Sequence, residues 1–244
     1  MTIALIGYGK MGKEVERLAL ERGWSIAVRL TSRSTAPSEK DLSGIDVGIH
    51  FAHPSSVKDA VATWTGFRKH LVIGTTGWSS SFGEIRKLVE KAETGLIYGA
   101  NFSPGVHLFT RIVKQTASLI DRFPEYDVAL HETHHAQKAD SPSGTALMLG
   151  DILLEGIRRK SEILAGPSPT RIAPHQLHVG SQRVGAVVGT HTVLLDSLAD
   201  SIELTHCAKN RIGFALGSLL AAEWIKARTG VYTVEDMMKD LLDS

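Results

Sequence analysis

Thr2-Ile3-Ala4-Leu5-Ile6 is an unbroken apolar run, the pattern of a strand buried on both faces. Apolar positions then recur at helical spacing through Met11, Val15, Leu18 and Ala19, up to Gly23 as C-cap. Residues 25–30 and 46–51 read as strands, and Pro54 opens a helix carrying Val57, Val61 and Trp64. Leu71-Val72-Ile73 is the next strand, a helix follows through Ile85, Leu88 and Val89, and residues 95–99 are strand again. Strands alternating with helices predict a Rossmann-like, doubly wound parallel sheet of the α/β class.

The pattern changes after Pro104. A helix is predicted over 106–120, with Pro124 ending the connection. Residues 126–131 alternate at period two, which predicts a strand with one solvated or ligand-facing side. Ser141 suits an N-cap and Pro142 a first helical residue, opening a helix through Ala146, Leu149, Ile152 and Leu153. Residues 164–174 read as an exposed loop, and 177–179, 184–188, 191–195 and 202–206 as closely spaced strands. They predict an open mixed or antiparallel sheet, one face of which a subunit partner would cover. Residues 210–228 are helical again, and Thr233 with Asp236 can cap a last short helix. The division expected is a dinucleotide-binding domain over 1–104, completed by 210–244, and an α+β substrate-binding and oligomerisation domain over 105–209.

Gly7-Tyr8-Gly9-Lys10-Met11-Gly12 lies between the first strand and the first helix, the context a dinucleotide fingerprint requires. Its glycines permit a tight turn and close approach of amides to a pyrophosphate. An NAD-preferring site places an acid at the end of the second strand; here the chain reads Thr31-Ser32-Arg33-Ser34, with no acid until Glu39. Ser32 and Arg33 suit a 2′-phosphate, favouring NADPH without excluding NADH, and the alternative is a solvated loop arginine. Gly74-Thr75-Thr76 and Gly99-Ala100-Asn101-Phe102 fall at the carboxyl rim of the sheet, where they either line a nicotinamide pocket or form ordinary turns.

The densest chemistry lies in the run His131-Glu132-Thr133-His134-His135-Ala136-Gln137-Lys138-Ala139-Asp140-Ser141-Pro142-Ser143-Gly144-Thr145-Ala146. Imidazoles and an ammonium precede a helix start whose amides at Ser143, Gly144 and Thr145 lack intrahelical partners, a site for a carboxylate or phosphate. His134 and His135, adjacent in an extended segment, point opposite ways. Glu132 can orient an imidazole or balance local positive charge; His191 and His206 read as structural. The same run fits H-E-x-x-H, but that zinc pattern needs a helix, and His131 ends a period-two run, so no metal is expected.

Composition narrows the classes. The 244 residues carry a formal net charge of +1, so no basic stripe for nucleic acid is implied. Cys207 is the single cysteine, excluding an internal disulfide and fitting a reducing compartment. No apolar run approaches the length of a membrane span, and no signal peptide is read, so a cytoplasmic protein is expected.

The pattern Glu132-x-His134-His135-x-x-Lys138-x-Asp140-x-Pro142-Ser143-Gly144-Thr145-Ala146 resembles the signature of the dihydrodipicolinate (4-hydroxy-tetrahydrodipicolinate) reductase family. The glycine loop, Gly74-Thr75-Thr76-Gly77, Ala100-Asn101-Phe102-Ser103, Gly189-Thr190-His191-Thr192 and Leu204-Thr205-His206 resemble family blocks in the same order. Two departures stand out: a glycine loop one residue shorter than in many members, and the missing acid after the second strand. The resemblance implies reduction of a cyclic imine dicarboxylate on the route to diaminopimelate and lysine, by hydride from the nicotinamide to C4 of the ring and then a proton. It implies that His134 is the acid/base and Lys138 a proton-donating or carboxylate-binding residue. His135 and the Gly144 and Thr145 amides would hold carboxylate oxygens, and the assembly would be a homotetramer built through the substrate-domain sheet. The rival readings are another Rossmann enzyme acting on an amino or imino acid, and a non-catalytic nucleotide sensor; the sensor would be marked by loss of His134 or Lys138.

Overall fold

The structure, a computed structural model, describes residues 1–34 and 37–243. The described chain divides into two compact units, residues 1–104 with 211–243 and residues 105–210.

The first unit contains β1 (Thr2–Ile6), α1 (Lys10–Glu21), β2 (Ser25–Leu30), α2 (Glu39–Leu42), β3 (Val47–His50), α3 (Val57–Gly66), β4 (His70–Ile73), α4 (Phe82–Ala92) and β5 (Gly95–Tyr98). The chain passes into the second unit along α5 (Pro104–Ile120), which leads to β6 (Asp127–His134), α6 (Gly144–Gly156), β7 (Glu162–Ala165), β8 (Gln176–Arg183), β9 (Gly189–Asp196) and β10 (Ser201–Ala208). It returns to the first unit with α7 (Ile212–Ile225), β11 (Gly230–Thr233) and α8 (Val234–Asp243).

The first sheet runs β2-β1-β3-β4-β5-β11, all parallel. Its strands read as apolar runs because both faces are covered: Ile3 and Leu5 pack with α1, α7 and α8, while Ala4 and Ile6 pack with α3 and α4. Strand order reverses between β1 and β3, the place where open α/β sheets take ligands at the carboxyl ends of their strands. α2 and β11, each four residues long, are not marked by the sequence pattern. Pairing with β5 makes β11 a strand. The Thr233 cap does form, since its Oγ1 accepts from the Asp236 amide at 3.1 Å and the Asp236 carboxylate accepts in return from the Thr233 amide at 2.8 Å.

The second sheet runs β7-β8-β6-β9-β10, with β6 parallel to β8 and antiparallel to β9. Val128, Leu130, Leu177, Val179, Val193 and Leu195 face α5 and α6, where Phe109, Val113, Leu149 and Leu153 complete the core. Ala129, His131, Thr133, Thr190, Leu194 and Thr205 alternate onto the opposite face.

Four local expectations are corrected. β6 continues three residues past His131, because Glu132 and Thr133 pair with both β8 and β9 and His134 pairs with β8. Residues 184–188 form a turn, with Gly185 at φ +50°, instead of a strand. β7 occupies the start of the expected 164–174 loop by pairing with β8. The sixth helix begins at Gly144 with Ser143 as N-cap, two residues later than Ser141 and Pro142 suggested.

Candidate active site

In the first unit the Gly7–Gly12 loop joins the end of β1 to α1. Gly7 has φ +95°, and a Cβ there would lie 2.2 Å from the Phe51 carbonyl oxygen. A Cβ on Gly12 would lie 2.4 Å from the Gly7 carbonyl oxygen, so these two glycines close the turn. A Cβ on Gly9 would meet nothing within 4 Å. Gly9 is the N-cap of α1 and offers no side chain to its amides, and the first turn holds no acid. Open, uncapped amides beneath a space that only a glycine leaves clear fit a pyrophosphate. Tyr8 and Met11 are partly buried and pack against the core. Lys10 is exposed.

Ser32 and Arg33 are exposed in a turn held by the Thr31 amide on Ser34 Oγ (2.9 Å) and the Arg33 amide on Thr31 Oγ1 (3.2 Å). A pocket of about 470 Å³ lies at the ends of β4 and β5, lined by Thr75, Thr76, Trp78, Tyr98, Gly99 and Ala100 among others. Two expected pocket residues have structural duties. The Thr75 hydroxyl sits 2.8 Å from buried His50 Nδ1 and accepts from the Ala52 amide at 3.1 Å, tying β4 to β3. Phe102 is a core side chain, 1 % exposed. Asn101 Oδ1 accepts from the Ser103 amide at 2.9 Å. Burial pushes the His50 imidazole down to about 4.

In the second unit the polar run of β6 turns inward. Glu132 and His134 occupy alternate, buried positions of the strand, 0 % and 7 % exposed, while His131 and Thr133 face the other way. Glu132 Oε1 accepts from the Ser143 amide (3.0 Å), Ser181 Oγ (2.9 Å) and Arg183 Nη2 (2.9 Å). Its Oε2 lies 3.1 Å from His134 Nδ1 and 3.6 Å from His191 Nε2. The two imidazoles meet edge to face at 5.2 Å. Burial pushes the Glu132 carboxyl up, but the bonds from Ser143, Arg183 and Ser181 outweigh it and hold the group at about 2. Burial pushes His191 down to about 4, with neighbouring His134 acting the same way. His134 is likewise lowered by burial first; Glu132 opposes, and Lys138 and Arg183 reinforce.

His135 follows the strand, half-buried, and its carbonyl accepts from the Lys138 amide at 3.1 Å, closing the turn that carries Lys138. Lys138 Nζ donates to both Asp140 carboxylate oxygens at 2.7 and 2.8 Å. Arg183 also donates to the Asp140 carbonyl at 2.6 Å, so it ties this turn to Glu132. The expected trio of free amides is corrected to two. Ser143 gives its amide to Glu132, its Oγ caps the Ala146 amide at 3.2 Å, and it is buried, so it holds the helix start. The amides of Gly144 and Thr145 remain without an intrahelical partner, and the space around Gly144 is open.

The H-E-x-x-H pair, His131 and His135, is not set on one helix face, because His131 lies within β6 and His135 just past its end. Another trio, Glu132, His134 and His191, brings ligand-type atoms within 4.8 Å of one another. Arg183, bonded to the same carboxylate, and nearby Lys138 set two positive charges against a cation there. The sequence pattern marks none of Ser181, Arg183 and His191 as a site residue. Their signal is strand pairing, which puts Ser181 and His191 opposite Glu132 and Arg183 opposite His134.

Models of dihydrodipicolinate reductase match nearly the whole chain, the N-terminus over residues 1–102 and the C-terminus over 105–238. The chain is 36 % identical to the 4-hydroxy-tetrahydrodipicolinate reductase of Christiangramia forsetii over 241 residues, covering 99 % of both chains. It is 31 % identical to the enzyme of that name from Neisseria meningitidis serogroup A, covering 91 % of this chain and 83 % of the relative. Among solved structures, a dipicolinate-bound dihydrodipicolinate reductase from Paenisporosarcina sp. TG-14 shares the fold, with TM-score 0.75 and 20 % identity over 97 % of this chain and 99 % of that one.

Proposed function

The chain belongs to the dihydrodipicolinate reductase family, and on that premise we propose that it reduces 4-hydroxy-tetrahydrodipicolinate to tetrahydrodipicolinate. The family consists of NAD(P)H-dependent oxidoreductases of the diaminopimelate and lysine route. The observation that carries the specific reading is the grouping of His134, Lys138 and the open amides of Gly144 and Thr145 around one buried carboxylate, Glu132.

The nicotinamide, when bound by the Gly7–Gly12 loop with Gly74, Thr75, Thr76 and the Gly99–Phe102 backbone, supplies hydride for C4 of the ring. Lys138 binds a substrate carboxylate by exchanging its Asp140 partner. That pair is exposed enough for its contribution to be small, at most about 1 kcal/mol, so the exchange is cheap. The Gly144 and Thr145 amides, with His135, take further carboxylate oxygens. Loss of water from the 4-hydroxy ring first leaves a C4=C5 double bond conjugated with the imine; hydride at C4 then leaves an electron-rich enamine, and His134 gives it a proton at C5. The imidazole is lowered by burial in the free protein, and an anionic substrate beside it favours the charged form, so the proton arrives with the substrate.

Ser32 and Arg33 favour NADPH, with NADH as second cofactor. The uncovered face of the second sheet carries small and polar residues such as Ala129, Thr133, Thr190 and Thr205, and suits a homotetramer. No metal takes part, and activity should survive exhaustive chelation. No described helix is long and apolar enough to cross a membrane, and we place the enzyme in the cytoplasm. The deciding experiment is coupled turnover with freshly made 4-hydroxy-tetrahydrodipicolinate and each nicotinamide. Turnover with NADPH at least matching NADH supports the reading; oxidation of neither overturns it. Light scattering that shows a monomer at working concentration overturns the assembly.

A further inference from the structure

We propose that Glu132 is a positioning residue, whose buried carboxylate holds the His134 imidazole by Nδ1 and so makes Nε2 the atom that exchanges protons; this rests on the reading of His134 as proton donor. The two carboxylate oxygens are used unequally. Oε1 takes three donors, from Ser143, Ser181 and Arg183, which fix the carboxylate in place. Oε2 takes none, and it is buried. His134 Nδ1 is also buried without a hydrogen bond, and the two atoms lie 3.1 Å apart. A small ring rotation aligns them, and each then removes the other's desolvation cost without breaking an existing bond.

The consequence is a tautomer. With Nδ1–H facing a carboxylate, the neutral ring carries its lone pair on Nε2. Protonation adds Nε2–H, and donation from Nε2 returns the ring to the form Glu132 holds. Position 189 keeps that edge open. A Cβ there would lie 2.9 Å from His134 Nε2 and 3.3 Å from Cδ2, so the glycine gives the ring its room. The charged and titratable groups around the ring are Glu132 on its own strand, His191 on β9, Arg183 on β8, and Lys138 and Asp140 on the following turn, with His206 of β10 beyond His191. Among them only Glu132 lies within salt-bridge distance of Nδ1.

The test uses the full chain labelled with ¹⁵N-histidine, the His134 signals being assigned by their loss in His134→Gln. In the free wild-type protein the neutral His134 ring should carry its proton on Nδ1. In Glu132→Gln the proton should shift toward Nε2, and kcat should fall by at least about tenfold with a changed pH profile, while affinity for NADPH stays as in wild type. A wild-type proton on Nε2, or a variant with unchanged tautomer and pH profile, overturns the proposal. If Glu132→Gln does not fold, Gly189→Ala provides the second arm, because it crowds Nε2 and leaves every donor to Oε1 in place. A lowered kcat in that variant with NADPH affinity retained supports the proposal, and a wild-type kcat overturns it. The tautomer is read without substrate, so a protein that shows it yet fails to reduce the cyclic imine overturns the proposed reaction and leaves the pairing standing.

Discussion

Two helix N-termini in this chain present backbone amides, and they are built by opposite means. α1 begins at Gly9, with no side-chain cap, no acid in its first turn and open space above. α6 begins at Ser143, which is capped on Ala146, buried, and anchored through its own amide to Glu132. The first start is kept open by subtracting side chains, the second is held in place by adding them. The difference suits the ligand proposed for each. A pyrophosphate is large and needs backbone on several sides, which only glycines allow. A carboxylate needs two amides aimed at one point, which a rigid cap provides. Each unit also buries a neutral histidine, His50 and His191, but the first braces Thr75 at a strand end while the second adjoins Glu132.

The comparison can be broken first at the chemistry. His134→Gln should lower turnover by about 10²–10⁴ with little change in NADPH affinity, measured by steady-state kinetics and fluorescence titration. Near-normal turnover removes His134 as the acid. Lys138→Ala should lower turnover too and also weaken pyridine-2,6-dicarboxylate; unchanged inhibitor binding removes Lys138 from the carboxylate site.

The glycine loop offers the next test. Gly9→Val should leave the melting temperature unchanged, since its side chain enters open space, yet weaken NADPH by roughly tenfold or more, about 1.4 kcal/mol. Gly12→Ala should lower the melting temperature as well, by overpacking of about 1–3 kcal/mol against the Gly7 carbonyl. Equal behaviour of the two variants would erase the distinction between a closing glycine and an open one.

Acid stability sharpens the contrast between the buried histidines. Both are held near 4 in the folded state, below the ordinary 6.5, so the unfolded chain binds more protons between those values. Stability from this source is complete above about pH 6.5 and is lost as pH falls toward 4. Glu132, held at about 2, adds a second loss as pH falls from about 4.5 toward 2. Melting temperatures from pH 7 to 4 should decline, and His50→Asn or His191→Asn should flatten the decline; an unaltered slope in both excludes these rings as its source.

The smallest effects concern the helix cap and the nucleotide's far end. Ser143→Ala should cost about 0.5–2 kcal/mol by chemical denaturation. Arg33→Asp should weaken NADPH selectively over NADH by charge repulsion. An unmoved preference takes Arg33 away from the nucleotide.

Much of this molecule is decided by local pattern. The alternation of apolar runs with helical periods specifies a parallel sheet, because a strand buried on both faces and a helix buried on one have different periods in a short window. The Thr233–Asp236 cap and the uncapped glycine start of α1 are equally local, since donor and acceptor lie within a turn of each other. The long motif from Glu132 to Ala146 carries the family in the same way. Tertiary structure alone decided the rest. Ser143 displaced Ser141 as the cap because its amide found a carboxylate eleven positions back. Residues 132–134 became strand because neighbouring strands paired with them. Ser181, Arg183 and His191, about fifty to sixty residues along the chain, reached Glu132 through the register of β6 with β8 and β9. A buried carboxylate needs donors wherever the fold can bring them, and no period in a sequence says which distant strands will lie beside it.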